Sequence, residues 1–160
     1  MSQARWMGVD LGQARVGIAL SDPELTLAHP AGNISVYGDY FQALDEVIEL
    51  VEREAVGRVI VGLPLLLSGE AGRSAKKAQR WVSALHKRLD ALHAEGQLTV
   101  TVPEIFLRDE RLTTVSAHRQ LRDAGLDTRE HRPRVDQQSA VVLLQAALDE
   151  LAQRTRSDIG

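Results

Sequence analysis

Met7-Gly8-Val9-Asp10-Leu11-Gly12, with Arg15-Val16-Gly17-Ile18-Ala19-Leu20-Ser21-Asp22 close behind it, is the stretch that decides the fold. Two short apolar runs flank a tight polar turn, the pattern of a β-hairpin with Asp10 near the end of its first strand. Gly8 and Gly12 let other groups approach the backbone and permit a turn that a side chain would obstruct. A charge inside such a run needs a reason. It is either a hydrogen-bonded structural Asp or a ligand for a divalent cation that handles phosphates. The second reading requires further carboxylates brought to the same place.

Working outward, residues 23–32 hold two prolines and a glycine and lead toward a third strand around Asn33–Val36. Phe41, Leu44, Val47, Ile48 and Val51 keep a helical period and predict a helix from about Tyr40 to Glu54. Arg58-Val59-Ile60-Val61 reads as a short strand that stops at Gly62-Leu63-Pro64, followed by a loop through Gly72. Ala78, Val82, Leu85, Leu89 and Leu92 mark a long second helix. Leu98–Val102 alternates like a strand, and Ile105-Phe106-Leu107 continues toward another strand end after Pro103. Thr113 or Thr114 can cap a helix running to Asp123, closed by Gly125. Asp136 opens a last helix packed through Val142, Leu143, Ala146 and Leu151, with a frayed tail over 155–160. This order predicts one α/β domain over residues 1–154 with a mixed sheet.

The 160 residues suffice for one domain with a real core. Without cysteine, disulfides, a Cys–zinc site and a thiol nucleophile are excluded. No long apolar run follows Met1-Ser2-Gln3-Ala4-Arg5 or occurs elsewhere, so a cytoplasmic protein away from membranes is expected. The net charge of −3 argues against nonspecific coating of nucleic acid. It leaves room for a nuclease, whose acidic site regains attraction for phosphate when it holds Mg²⁺ or Mn²⁺.

Three acids fall at element ends: Asp10 near a strand end, Glu110 after the strand ending near Leu107, and Asp136 before the last helix. In an α/β sheet, residues distant in sequence meet at such ends. Clustered acids repel unless cations neutralise them. Mg²⁺ or Mn²⁺ would do so, and two ions about 4 Å apart can stabilise both the attacking and leaving oxygens of a phosphodiester. The alternative is that Glu110 and Asp136 merely occupy helix starts, where the dipole favours acids. Asp109 rivals Glu110 as the inward-facing acid, and Asp22 is a candidate fourth contributor.

Four motifs in order, GVDLGQARVGIALSD at 8–22, VGLPLLLSGEAG at 61–72, DERLTT at 109–114 and DQQSAVVLLQAALD at 136–149, span nearly the whole chain. In them the chain resembles the YqgF family, also called RuvX, of RNase H-like nucleases. The resemblance implies an RNase H-like fold with a mixed five-stranded sheet flanked by helices. It assigns the acidic site and its metal ligation to Asp10, Glu110 and Asp136. It also implies a nuclease that processes the 5′ end of precursor 16S ribosomal RNA. Related proteins are viewed as Holliday-junction resolvases, which keeps branched DNA, or general DNA/RNA cleavage, open as the alternative; for a four-way junction a homodimer is the economical geometry. Two departures stand out. His131-Arg132-Pro133-Arg134 precedes Asp136 where the family usually carries lysines, and Ser139 replaces a usual alanine. Arginine favours a bidentate hold on phosphate over a mobile point charge.

Arg15 and Arg111 adjoin the acidic motifs and are candidate phosphate contacts, joined by Arg132 and Arg134; pairing with the site carboxylates is their other reading. Arg73, Lys76, Lys77 and Arg80 form a basic helix face that suits either a backbone track or ordinary solvation. Leu65-Leu66-Leu67 could cover substrate or a partner, or pack into the core. The five histidines share no metal-ligand spacing. Two rival functions have specific weaknesses. An actin-like ATPase needs two lobes and a repeated opening motif that this chain lacks. A noncatalytic RNA-binding ribosome-assembly protein is the more serious rival, supported by the modest net charge, with the acids merely keeping an ancestral site; the presence of all three acids favours catalysis.

Overall fold

The computed structural model describes residues 4–12, 14–110 and 128–159, with side chains over 128–137 and 158–159 outside the description. Five strands form one sheet: β1 (Arg5–Leu11), β2 (Arg15–Ser21), β3 (Ala28–Ser35), β4 (Val56–Leu63) and β5 (Glu104–Asp109). Their spatial order is β3-β2-β1-β4-β5. β2 runs antiparallel to both β1 and β3, while β4 and β5 run parallel to β1 and to each other. The mixed five-stranded sheet expected from the sequence is therefore present. The predicted hairpin is β1–β2, closed by a hydrogen bond from the Gly12 N–H to the Arg15 carbonyl at 2.9 Å.

Alternation along the strands sends side chains to opposite faces and creates two cores. On one face Met7, Val9, Val59 and Val61 pack against helix α1 (Leu44–Glu54) and helix α2 (Arg73–Ala94) through Val47, Val51, Trp81, Leu85 and Leu89. Buried Trp81 donates its indole N–H to the Tyr40 carbonyl at 2.9 Å, tying α2 to the turn before α1. On the other face Trp6, Ala19 and Ile60 pack against helix α3 (Thr128–Ile159). The stripe α3 buries is Ala140, Leu143, Leu144, Ala147 and Leu148. Of the four packing residues expected, Leu143 is fully buried, Leu151 packs at the edge of the cluster, and Val142 and Ala146 flank the stripe.

Several boundaries differ from expectation for identifiable reasons. The first helix is a 3₁₀ turn, Tyr40–Ala43, followed by α1, with the Asp39 carboxylate accepting from the Phe41 N–H at 3.1 Å. β3 begins at Ala28 and includes Pro30, which an edge strand tolerates because one side needs no ladder donor. Leu98–Val102 is not a strand: Leu98, Val100 and Val102 pack against the core from one side, yet no ladder partner adjoins them. The strand starts only after Pro103, whose ring nitrogen has no proton to donate. α3 starts at Thr128 rather than Asp136 and runs through Pro133, forfeiting the one N–H that proline lacks. It also continues to Ile159 where a frayed tail was expected, and the Thr155 hydroxyl donates to the Leu151 carbonyl at 3.0 Å. The helix expected over 113–123 lies outside the described residues.

Candidate active site

β1, β4 and β5 end on the same side of the sheet, since they are parallel neighbours. Asp10 stands near that end of β1, only 8% exposed. It pairs with Gly17 of β2, and the register Val9↔Val61 continues to place Gly62 of β4 beside it. Val9 faces the α1–α2 core, so Asp10 projects to the α3 face.

Glu110 follows β5 and folds onto β4. A Cβ built on Gly62 would come within 2.8 Å of both Cγ and Cδ of Glu110, and closer still to its Oε1. The carboxylate thus fills the space above Gly62, next to Asp10's strand. Asp109, its rival, pairs with Leu63 and by alternation belongs to the opposite face. Two of the three expected acids are therefore brought to the same end and face of the sheet, with Glu110 lying over β4, the strand between β1 and β5.

The third, Asp136, lies in the backbone of α3; its side chain is outside the described residues. The helix path still constrains the position. A Cβ on Gly8 would meet the Ala140 carbonyl at 2.7 Å and the Leu144 Cβ at 2.9 Å, so α3 crosses β1 at Gly8 in close contact. Leu148 and Ala147 pack in the cluster with Trp6, so α3 runs against the direction of β1. Position 136 precedes Ala140 by one turn, about 6 Å along the axis, toward the Asp10 end. Among the described residues no group of three His, Cys, Asp or Glu side chains is placed to hold a metal ion. Asp10 and Glu110 are hard oxygen donors of the kind Mg²⁺ and Mn²⁺ take, and the cradle over Gly62 fixes where one of them lies.

Arg15 opens β2 on the same face and at the same end as Asp10, two positions from Asp10's partner Gly17, and is half-buried. Arg111 lies outside the described residues, as do the side chains of Arg132 and Arg134. The sequence reading passed over Arg108. It pairs in register with Gly62, its guanidinium donates to Glu150 Oε1 at 2.9 Å, and its buried Nε has no hydrogen-bond partner among the described residues. The hydrogen bond from Arg108, with its charge, holds the Glu150 carboxyl below the usual carboxylate range. Alternation within Ile105–Arg108 was the signal that could have found it.

Arg73, Lys76, Lys77 and Arg80 are exposed on the first turns of α2, which starts where the loop after β4 ends, at the Asp10 end of the sheet. Lys77 Nζ also lies 5.8 Å from the centre of the Tyr40 ring. In the loop, Leu66 is 51% and Leu67 92% exposed, so these two are not core residues. Asp22 departs from expectation. β2 returns antiparallel, which carries it to the opposite end of the sheet from Asp10. There its carboxylate accepts from the Thr26 N–H at 2.7 Å, the Leu27 N–H at 3.2 Å and the Thr26 hydroxyl. These bonds, that to the Thr26 hydroxyl above all, hold its pKa below the ordinary value. Asp22 organises a turn and is not a fourth member of the site.

Solved structures share this architecture. RuvC of Thermus thermophilus, solved in complex with a Holliday junction substrate, superposes with a TM-score of 0.52 at 14% identity, covering 91% of this chain and 94% of that one. The same protein solved as "Thermus thermophilus RuvC structure" gives the same score, covering 93% and 96%. At that identity the likeness is one of fold. The model of the RuvX family, described as Holliday junction resolvase, matches residues 4–150, and the chain belongs to that family. A relative in Bifidobacterium adolescentis, named "Putative pre-16S rRNA nuclease", is 66% identical over 145 residues, 90% of this chain and 96% of its own. A relative of the same name in Mycobacterium tuberculosis is 41% identical over 150 residues, 92% of this chain and 80% of its own. Among the described residues no helix is long and apolar enough to cross a membrane.

Proposed function

We propose that this protein is a divalent-metal-dependent endonuclease that hydrolyses phosphodiester bonds and processes the 5′ end of precursor 16S ribosomal RNA. The observation that carries the reading is that Asp10 of β1 and Glu110, which follows β5 and lies over Gly62 of the intervening β4, come from distant segments to the same end and face of the sheet. The high identity to relatives named for the same rRNA supports the substrate.

Asp10, Glu110 and Asp136 are the proposed ligands, and Mg²⁺ or Mn²⁺, as two ions, would supply neutralisation of the acids and activation of water. Flanking strand pairings fix the backbone of Asp10, and its residue is buried, so the acid is presented from a rigid strand. Arg15, on the same face, is suited to hold a phosphate oxygen and so position the strand to be cut. Arg111, Arg132 and Arg134 are proposed to extend that hold along the backbone, with the basic first turns of α2 as a flanking track. Water is the nucleophile and no covalent protein intermediate forms. Action in the cytoplasm, within a single domain covering 1–154, belongs to the same proposal.

A second reading, cleavage of a four-way DNA junction by a homodimer, is favoured by the description of the family model. A matched assay separates the two: precursor 16S rRNA, single-stranded RNA and DNA, and an immobile four-way junction, each with Mg²⁺ and with Mn²⁺. Site-specific cuts near the mature rRNA end are expected. Paired symmetric cuts confined to the junction would overturn the RNA assignment.

A further inference from the structure

Gly62 has no conformational reason to be glycine. It lies within β4, is buried, and does not have a positive φ, so its backbone suits any L-residue. Glycine inside a strand weakens it, which calls for a compensating role. The atoms that a Cβ at position 62 would meet are those of Glu110: Cγ and Cδ at 2.8 Å, and Oε1 nearer. Gly8 is different in kind. There the obstacle is the Ala140 backbone carbonyl, and a side chain would push a helix off the sheet. At Gly62 the obstacle is the Glu110 side chain from Cγ to the carboxylate, which can rotate away about its own bonds while the strand stays in place.

We infer that Gly62 is a positioning residue for Glu110: the missing side chain is the seat in which the carboxylate rests beside Asp10. Any side chain at 62 displaces that carboxylate and leaves the sheet intact. The inference rests on the reading of Glu110 as a metal ligand and adds the residue that sets where that ligand stands.

The test is direct Mn²⁺ binding, read as loss of the free-ion electron paramagnetic resonance signal, together with thermal unfolding. Wild type, Gly62→Ala, Glu110→Gln and the double variant are compared. Gly62→Ala is expected to weaken Mn²⁺ binding by about tenfold or more, the range seen when a supporting group is lost. Its unfolding temperature should stay at the wild-type value. In the Glu110→Gln background the same alanine should add no further loss of binding, because the carboxylate it displaces is gone. Wild-type Mn²⁺ affinity in Gly62→Ala, with weak binding in Glu110→Gln, would overturn the positioning role and leave the ligand role standing. Wild-type affinity in Glu110→Gln would overturn the ligand role and this inference with it. An equal loss from alanine in both backgrounds would show a merely structural effect and also overturn it. Should Gly62→Ala lower the unfolding temperature, pairing it with Glu110→Ala must restore the value of Glu110→Ala alone; a persistent deficit contradicts the seat.

Discussion

The two ends of the sheet handle charge in opposite ways. At the end where the β1–β2 hairpin opens, polar groups are closed on one another. Asp22 is consumed by Thr26 and Leu27, and Arg5 donates to the Ser21 carbonyl at 3.0 Å. Arg58 lies between the Trp6 and Phe106 rings, 4.5 and 4.7 Å from their centres, while pairing with Glu104 at 2.8 Å. At the hairpin turn, acids converge from distant segments, and glycine, not a partner side chain, occupies the space beneath Glu110. Charge satisfied locally stabilises the fold. Acids brought from distant segments to one face offer oxygen donors that a cation can take and, through it, a phosphate.

That contrast can be broken most sharply at the paired acids Asp109 and Glu110. Glu110→Gln should lower cleavage of precursor rRNA by about 10²- to 10³-fold, equivalent to ~3–4 kcal/mol of barrier. Asp109→Asn should leave cleavage near the wild-type rate, since Asp109 belongs to the other face. Comparable losses in the two variants would erase the distinction between the faces.

Next in size is Gly8→Ala, which sets a methyl group against the Ala140 carbonyl and Leu144. Overpacking of this kind should cost about 1–3 kcal/mol in urea unfolding. It should also reduce cleavage, because α3 brings Asp136 toward the site. The arginines at opposite ends then separate stability from substrate binding. Arg58→Ala should cost about 1–2 kcal/mol of stability through lost stacking and pairing, with cleavage unchanged. Arg15→Ala should leave unfolding unchanged, raise KM, and reduce the salt dependence of RNA binding by about one ion.

The smallest effect concerns pH. Glu150 has its folded pKa lowered by Arg108, so its contribution to stability is full above the unfolded carboxyl value and is lost as pH falls through the folded one. Because the Glu150 side chain is 48% exposed, the contribution is at most about 0.5 kcal/mol. Glu150→Gln should flatten the fall of stability below the ordinary carboxyl value of 4.5 by that small amount in acid titration. An unchanged acid limb would remove Arg108–Glu150 from the stabilising set.

The sheet was readable in the sequence because its strands are short apolar runs punctuated by glycine and proline, and Asp10 stood out as a charge inside one of them. Leu98–Val102 misled because alternation reports one-sided burial, which a coil lying on a core produces as well as a strand does. Pro133 misled in the other direction, since a long helix can forgo one hydrogen bond. At the site, the choice between Asp109 and Glu110 depended on the register Leu63↔Asp109, and the role of Asp22 on the antiparallel return of β2. Neither is set by neighbours in the chain. The meaning of Gly62 was hidden for the same reason: the group it accommodates comes from another strand.

On the proposed function the buried aspartate at the converging end serves cleavage of nucleic acid and the turn aspartate at the other end does not. The direct test is cleavage of precursor 16S rRNA in Mg²⁺ or Mn²⁺ by Asp10→Asn and Asp22→Asn, each first shown to be folded by thermal unfolding. Asp10→Asn should give no detectable cleavage and Asp22→Asn wild-type cleavage. Wild-type cleavage by a folded, fully substituted Asp10→Asn protein would contradict it.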